Sequence, residues 1–198
     1  MTFRKSLFFS LGIIVLTLGI SLTILSNSGT SPYDALLVGS FRTIGLTVGS
    51  WEIIIALLMI FLNAAASRTR PEYLALLTAL ITGAGIDLWL FTLEGWLKPV
   101  TYFSQFSLLA LGMVFIGIGT SLYLQAEFAP IPLDRLMLIL QKQAGWTIAV
   151  SRLVISVVIL SLAFLLHGPI GIGTFLTAFL NGTILSFFMP YAIRLYQT

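Results

Sequence analysis

The chain has 198 residues, of which 58% are hydrophobic and 9% are charged, and its formal net charge is +3. An ordinary soluble domain has roughly a quarter of its residues charged, and one soluble core of this size could not bury so much apolar surface. We therefore exclude a soluble enzyme, a nucleic-acid-binding protein and a disordered regulator, and expect the lipid bilayer to surround most of the chain. The chain contains no cysteine, which excludes disulfides, thiolate metal sites and a cysteine nucleophile.

Six apolar stretches are each about as long as a membrane crossing requires. Their uniform hydropathy, without the alternation of strands, predicts an all-α membrane protein rather than a β-barrel. The first stretch follows two basic residues, as in a signal peptide, but it is as long as a full span and ends in Leu25-Ser26-Asn27-Ser28. The sequence repeat described below also requires it as a helix, so we expect it to be a span. The six predicted spans are Leu7–Leu25, Thr47–Ala66, Tyr73–Phe91, Phe106–Leu124, Thr147–Leu166 and Thr174–Ala192.

The distribution of Lys and Arg predicts the orientation of these spans. With six crossings, one side of the membrane holds eight basic residues and the other holds two, Arg42 and Lys98. Because basic residues concentrate on the cytoplasmic side, we expect both termini in the cytoplasm. The eight are Arg4, Lys5, Arg68, Arg70, Arg135, Lys142, Arg152 and Arg194.

The sequence matches itself when it is shifted by 100 residues. The shift aligns glycine, proline, aspartate and threonine residues in the same order, which chance alignment of leucines would not explain. It predicts a single membrane domain, residues 1–198, made of two repeats of about 1–98 and 99–198. Since each repeat crosses three times, the second must be inverted, an arrangement typical of many transporters. The aligned pairs include Gly19 and Gly119, Pro32 and Pro132, Asp34 and Asp134, Gly45 and Gly145, and Thr47 and Thr147.

Each repeat contains a Pro-Asp segment followed by an extra helix too short to cross the membrane. In the first, Ser31 can cap the helix, Pro32 can be its first residue and Asp34 its third, with Gly45 at its end and Thr47 capping the next span. The second, from Pro132 to Gly145, lacks the serine. The short helices can be interfacial, with the aspartates serving as helix-start residues, or re-entrant, with their N-termini facing a neutral or cationic ligand.

Two acidic residues lie within the predicted spans, and a charge inside a span suggests a function by default. Asp87, in the third span, can contact an ion, a proton or a substrate, or it can lie near the outer face and be solvated. Glu52 and Arg152 occupy matching repeat positions on opposite faces, so we expect no direct salt bridge between them, and we expect Glu52 to stabilise the start of its helix. The lone His167 has no partners for a metal site or a catalytic triad.

Three segments resemble the YczE/YitT family of bacterial multipass membrane proteins. They are Gly29-Thr30-Ser31-Pro32-Tyr33-Asp34, the run from Thr43 to Gly49, and the third span with Leu77-Thr78-Ala79, Gly83 and Asp87. The resemblance covers nearly the whole chain, although Ala129-Pro130-Ile131 replaces the Gly-Thr-Ser stretch in the second half. It implies a location in the bacterial inner membrane and brings no catalytic residues.

These observations predict a small transporter-like or permease-like protein with a polar site between the repeats. The alternative is a non-transporting accessory or substrate-binding subunit that acts with another protein. We expect no enzyme activity, cofactor or metal, an unknown small-molecule or ion ligand, and either a protein partner or a homodimer. The candidate ligand-binding residues are Asn27, Thr30, Ser31, Asp34, Asp87 and Asp134; the candidate structural residues are Gly29, Pro32, Gly45, Thr47, Pro132, Gly145 and Thr147.

Overall fold

The structure, a computed structural model, describes residues 3–126, 128 and 131–197, without the side chains of residues 134, 148, 149 and 152. Its described residues form helices and contain no strand, so the predicted all-α class is confirmed. The helices are α1 (Phe3–Leu25), α2 (Pro32–Ile44), α3 (Val48–Ser67), α4 (Tyr73–Leu93), α5 (Tyr102–Leu124), α6 (Pro132–Ala144), α7 (Ile148–Leu165) and α8 (Ile172–Gln197).

Five helices of the described chain, α1, α3, α4, α5 and α8, are long and apolar enough to cross a membrane. The chain is therefore a multipass membrane protein by helix length and composition. The fifth predicted span coincides with α7, which has 18 residues. Its continuously described apolar part, Leu153–Leu165, is shorter than a crossing.

The ends of several spans differ from the predicted ones because polar caps, not hydropathy, decide where a helix begins. Helix α5 begins at Tyr102, a full turn before the predicted Phe106, since Thr101 and Ser104 form a reciprocal capping box. Helix α8 begins at Ile172 and continues to Gln197 through Pro190, beyond its predicted end at Ala192.

Helices α1 and α5 pack along each other at the centre, with glycines at the points of closest approach. A Cβ atom on Gly12 would lie 2.5 Å from the Tyr123 nitrogen, and one on Gly119 would lie 2.3 Å from the Leu16 nitrogen. Only glycine lets two helix backbones come this close. The other two contacts of this kind are Gly19 with Ile116 and Gly112 with Thr23.

The short helices pack against spans that belong to the other half of the sequence. Helix α2 lies on the end of α7, where a Cβ on Gly39 would meet the Leu166 carbonyl at 2.9 Å. Helix α6 lies on α3, where the Asn63 amide donates a hydrogen bond to the Pro132 carbonyl at 2.8 Å. Apolar side chains of α2, α3 and α7 form one buried cluster, against which α6 packs its apolar face. Residues 34–40, in the middle of α2, are all buried.

The ends of the short helices have the cap geometry that their sequences favour. Pro32 and Pro132 stand in the first turns of α2 and α6. Gly45 and Gly145, with φ of 95° and 67°, follow their last turns in conformations that L residues with a Cβ rarely adopt. Two threonines begin the next spans by accepting backbone hydrogen bonds: Thr47 from Ser50 and Thr147 from Val150.

Candidate functional site

Asp34 lies buried at the start of α2, with 5% of its surface exposed. Its Oδ2 accepts hydrogen bonds from the Ser31 hydroxyl at 2.6 Å and the Thr30 hydroxyl at 3.4 Å. The Asp34 backbone N–H donates in return to Ser31 Oγ at 3.2 Å, so Ser31 is the N-cap of α2. Burial raises the pKa of the Asp34 carboxyl to about 6, against the opposing effect of the two hydroxyl donors.

Glu52 is a second buried carboxyl group beside Asp34, with 6% of its surface exposed. The hydroxyl of Tyr33, the residue before Asp34, interacts with the Glu52 carboxylate. Tyr33 therefore joins the first turn of α2 to the first turns of α3. We call Thr30, Ser31, Tyr33, Asp34 and Glu52 the carboxyl cluster.

The carboxyl cluster lies where the first half of the chain meets the second. The Thr30 backbone N–H donates to the Pro169 carbonyl at 3.4 Å, and its hydroxyl lies 3.1 Å from that of Thr23, which packs on Gly112 of α5. Gly29 has a φ of 95°, and a Cβ there would lie 2.6 Å from the Gly171 nitrogen. The loop from α1 to α2 is thus fixed against the loop from α7 to α8.

Asp87 lies half-buried on α4 and contacts the N-terminus of α3. Its Oδ2 accepts from the Thr47 hydroxyl at 2.6 Å, and its Oδ1 accepts from the Gly49 backbone N–H at 2.7 Å. A carboxylate on the first backbone N–H groups of a helix satisfies donors that have no partner within the helix and favours the helix dipole. Both Asp87 oxygens therefore bind α3, one turn before Glu52.

The structure separates the remaining predicted ligand-binding residues from the carboxyl cluster or does not describe them. Asn27 is exposed in the loop after α1, with a left-handed φ of 55°. The side chain of Asp134, like that of Arg152, lies outside the described part of the chain, and so does any contact between Arg152 and Glu52. Among the described residues, no group of three or more His, Asp or Glu side chains could hold a metal ion.

Sequence reasoning missed the partnership of Tyr33 with Glu52. We expected Glu52 to stabilise the start of its own helix, but the structure buries its carboxylate against the Tyr33 hydroxyl of a different helix. One signal was present in the sequence: Tyr33 directly precedes Asp34. An aromatic ring at this helix start has to pack against another helix. The direction of that ring depends on how α2 lies on α3, which the sequence does not contain.

The chain matches, over residues 3–190, a family described as a family of unknown function, DUF6198. It belongs to this family. Relatives of this chain include the uncharacterized protein YyaS of Bacillus subtilis, 47% identical over 96% of this chain and 94% of the relative. The uncharacterized membrane protein YczE of Bacillus subtilis is 38% identical over 95% of this chain and 86% of its own length. The predicted resemblance to YczE is thus confirmed.

An uncharacterized protein of Haemophilus influenzae is 28% identical over 91% of this chain and 81% of the relative. No solved structure matches this chain.

Proposed function

We propose that this protein is a carrier for a small cationic or protonatable solute, with the carboxyl cluster as its binding site. The observation that carries the proposal is the burial of Asp34 and Glu52 side by side, joined through Tyr33. A charged carboxylate inside a membrane protein costs roughly 2.5–3.5 kcal/mol on insertion scales, so acidic residues there mark ion, proton or substrate pathways by default. Two carboxylates favour a cation or a proton over an anion.

The proposal includes six spans arranged as two inverted repeats of three. The contacts between α1 and α5 support it because they exchange under the 100-residue shift. Gly12 meets Tyr123 while Gly112 meets Thr23, and Gly19 meets Ile116 while Gly119 meets Leu16. Two antiparallel helices related by a twofold axis have this pattern of contacts.

The packing of the short helices supports the same arrangement. Helix α2 packs on α7 and helix α6 packs on α3, and the shift converts the first pair into the second. The start of α2 lies at the loop between α7 and α8, whereas the start of α6 lies at the loop between α3 and α4, where Arg135 pairs with Glu72 at 2.9 Å. We therefore propose that α2 and α6 begin at opposite faces of the membrane, with Asp34 on one side and Asp134 on the other.

In this proposal the membrane is the bacterial inner membrane and both termini are cytoplasmic. The basic residues near the loop between α3 and α4 and on α6 support the orientation, since cytoplasmic loops are enriched in Lys and Arg. Asp87 acts as a positioning residue: by holding the N-terminus of α3 through Thr47 and Gly49, it fixes the turn that precedes Glu52.

The experiment is a solute-induced charge movement measured on proteoliposomes adsorbed to a solid-supported membrane. The probes are protons, Na⁺, K⁺ and a series of primary to quaternary amines. We expect the wild-type protein to respond to at least one probe, and Glu52→Gln and Asp34→Asn to abolish the response at equal incorporation. The matched control is Glu94→Gln, which changes an exposed carboxyl group at the end of α4.

A response that survives in both carboxyl variants overturns the site. If a variant fails to purify as a monodisperse protein, Tyr33→Phe replaces it, because this change keeps the ring and removes only the hydroxyl that interacts with Glu52. No response to any probe, together with stoichiometric co-purification of another protein, overturns transport in favour of the accessory role.

A further inference from the structure

A second polar site lies in a cleft between α3, α4 and α6, at the end of α3 away from the carboxyl cluster. Asn63, Ser67, Arg70, Glu72 and Arg135 contribute polar groups to its lining. Its enclosed part has room for a group about the size of one water molecule. The proposed transport function uses none of these residues.

The floor of the cleft has an unused hydrogen-bond acceptor. Asn63 is buried, with 7% of its surface exposed, and its Nδ2 donates to the Pro132 carbonyl. Among the described residues, no group donates to Asn63 Oδ1. The Ser67 hydroxyl does not donate to Asn63 Oδ1, because it donates to the backbone carbonyl of Asn63 at 2.6 Å. A buried acceptor without a donor is unfavourable, so a ligand that brings an N–H or O–H group would stabilise it.

The rim of the cleft carries both signs of charge. Arg135 Nη2 pairs with Glu72 Oε1 at 2.9 Å, and each side chain is 39% exposed. A guanidinium has five N–H donors and a carboxylate has two oxygens, so this ion pair leaves donors and acceptors for a ligand. Arg70 is exposed on the same rim. A complementary ligand therefore combines a small cationic donor for Asn63 and Glu72 with an anion for Arg70 and Arg135.

We propose that this cleft binds a primary ammonium joined to a phosphate, and that the source is the headgroup of phosphatidylethanolamine. An ammonium group is about the size of a water molecule and carries three donors, whereas a trimethylammonium is larger and has none. Arginine suits phosphate because its planar fork can make two parallel hydrogen bonds. The cleft lies where span α3 ends and span α4 begins, which is the depth of lipid headgroups.

The experiment is native mass spectrometry of delipidated protein titrated with lipids that share their acyl chains. The probes are phosphatidylethanolamine, its mono- and dimethyl derivatives, phosphatidylcholine and phosphatidylglycerol. We expect retention to fall with each added methyl group, and phosphatidylethanolamine to bind about fivefold or more tightly than phosphatidylcholine and phosphatidylglycerol, about 1 kcal/mol. Equal retention of the three overturns the proposal and leaves the acceptor to an ordered water.

Substitutions locate the preference in the cleft. Arg70→Gln removes a donor to the phosphate, which all these lipids carry, so it should weaken phosphatidylethanolamine binding and leave its preference over phosphatidylcholine. Glu72→Gln removes the carboxylate proposed to contact the ammonium and should reduce that preference to less than about twofold. Arg68→Gln, on the same loop and outside the cleft lining, should change neither. A preference that persists in Glu72→Gln, or that Arg68→Gln removes equally, overturns the assignment.

Competition with soluble O-phosphoethanolamine tests whether the ligand is a lipid headgroup or a soluble phosphoamine. We expect it to compete with the lipid only at millimolar concentration, because it lacks the acyl chains. If it binds more tightly than phosphatidylethanolamine in the same assay, the lipid source is wrong and the ligand is a soluble phosphoamine.

Discussion

The carboxylate of Asp87 binds the N-terminus of α3, where its Oδ1 accepts the Gly49 backbone N–H at 2.7 Å. This contact joins spans α3 and α4. From the sequence we expected the Asp87 side chain either to contact an ion, a proton or a substrate or to be solvated. It requires a glycine, since a Cβ on Gly49 would lie 2.7 Å from Asp87 Cγ. The local role of Asp87 is therefore a helix cap supplied by a neighbouring helix.

Removing this cap should destabilise the protein. We expect Asp87→Ala to reduce the free energy of unfolding by about 1–2 kcal/mol, in the range of other lost helix caps. Asp87→Asn should cost less, because its amide oxygen can still accept from Gly49. Thermal unfolding in detergent measures both, with Glu94→Ala, at an exposed residue directly after α4, as the control. An unchanged melting temperature in Asp87→Ala would show that the contact contributes nothing.

Gly83 of α4 and Gly182 of α8, which align because the second repeat lacks one residue before its third span, should respond differently to the same substitution. A Cβ on Gly83 would lie 2.5 Å from the Gly49 carbonyl, whereas one on Gly182 would meet no atom within 4 Å. We therefore expect Gly83→Ala to lower the melting temperature by separating α3 from α4. Gly182→Ala should be neutral or stabilising by up to about 1 kcal/mol, because alanine has the higher helix propensity. Equal effects of the two changes would contradict the packing.

Cysteine labelling tests the inverted repeat without background, since the chain has no cysteine of its own. Arg42 and Lys142 are exposed residues at matching positions of the two repeats. In intact cells a membrane-impermeant maleimide should modify Arg42→Cys and leave Lys142→Cys unmodified until the membrane is permeabilised. Modification of both from the same side would refute the inversion of the second repeat.

The burial of Asp34 predicts a pH dependence of stability. Its folded-state pKa, about 6, lies above the ordinary value of 3.8, so between these values the folded protein binds the proton more tightly than the unfolded chain. The contribution of Asp34 therefore favours folding at low pH and falls as the pH rises through this window. Unfolding measured from pH 4 to 7 should show a flatter profile in Asp34→Asn. A steeper decline of stability with pH in Asp34→Asn would mean that the direction of the Asp34 pKa shift is wrong.

The sequence alone determined the class of this protein and the position of its helices. Apolar stretches of about 20 residues are typical of helices that cross a membrane. Residues such as Ser31, Pro32, Gly45 and Thr47 act on the backbone within a few positions of themselves. Such local effects are readable without coordinates, so the short helix α2 was predictable from its own residues. The start of α5 was misplaced because its cap, Thr101 with Ser104, lies outside the apolar run.

Only the tertiary structure decided which polar groups meet. Asp87 caps α3 across 38 residues of sequence, and Asn63 holds Pro132 across 69. Whether a carboxyl group in an apolar chain faces water, a helix end or another acid depends on the packing of helices that are distant in sequence. The hydropathy pattern predicts that the Glu52 side chain does not face lipid. Its burial against Tyr33 depends on how α2 packs on α3.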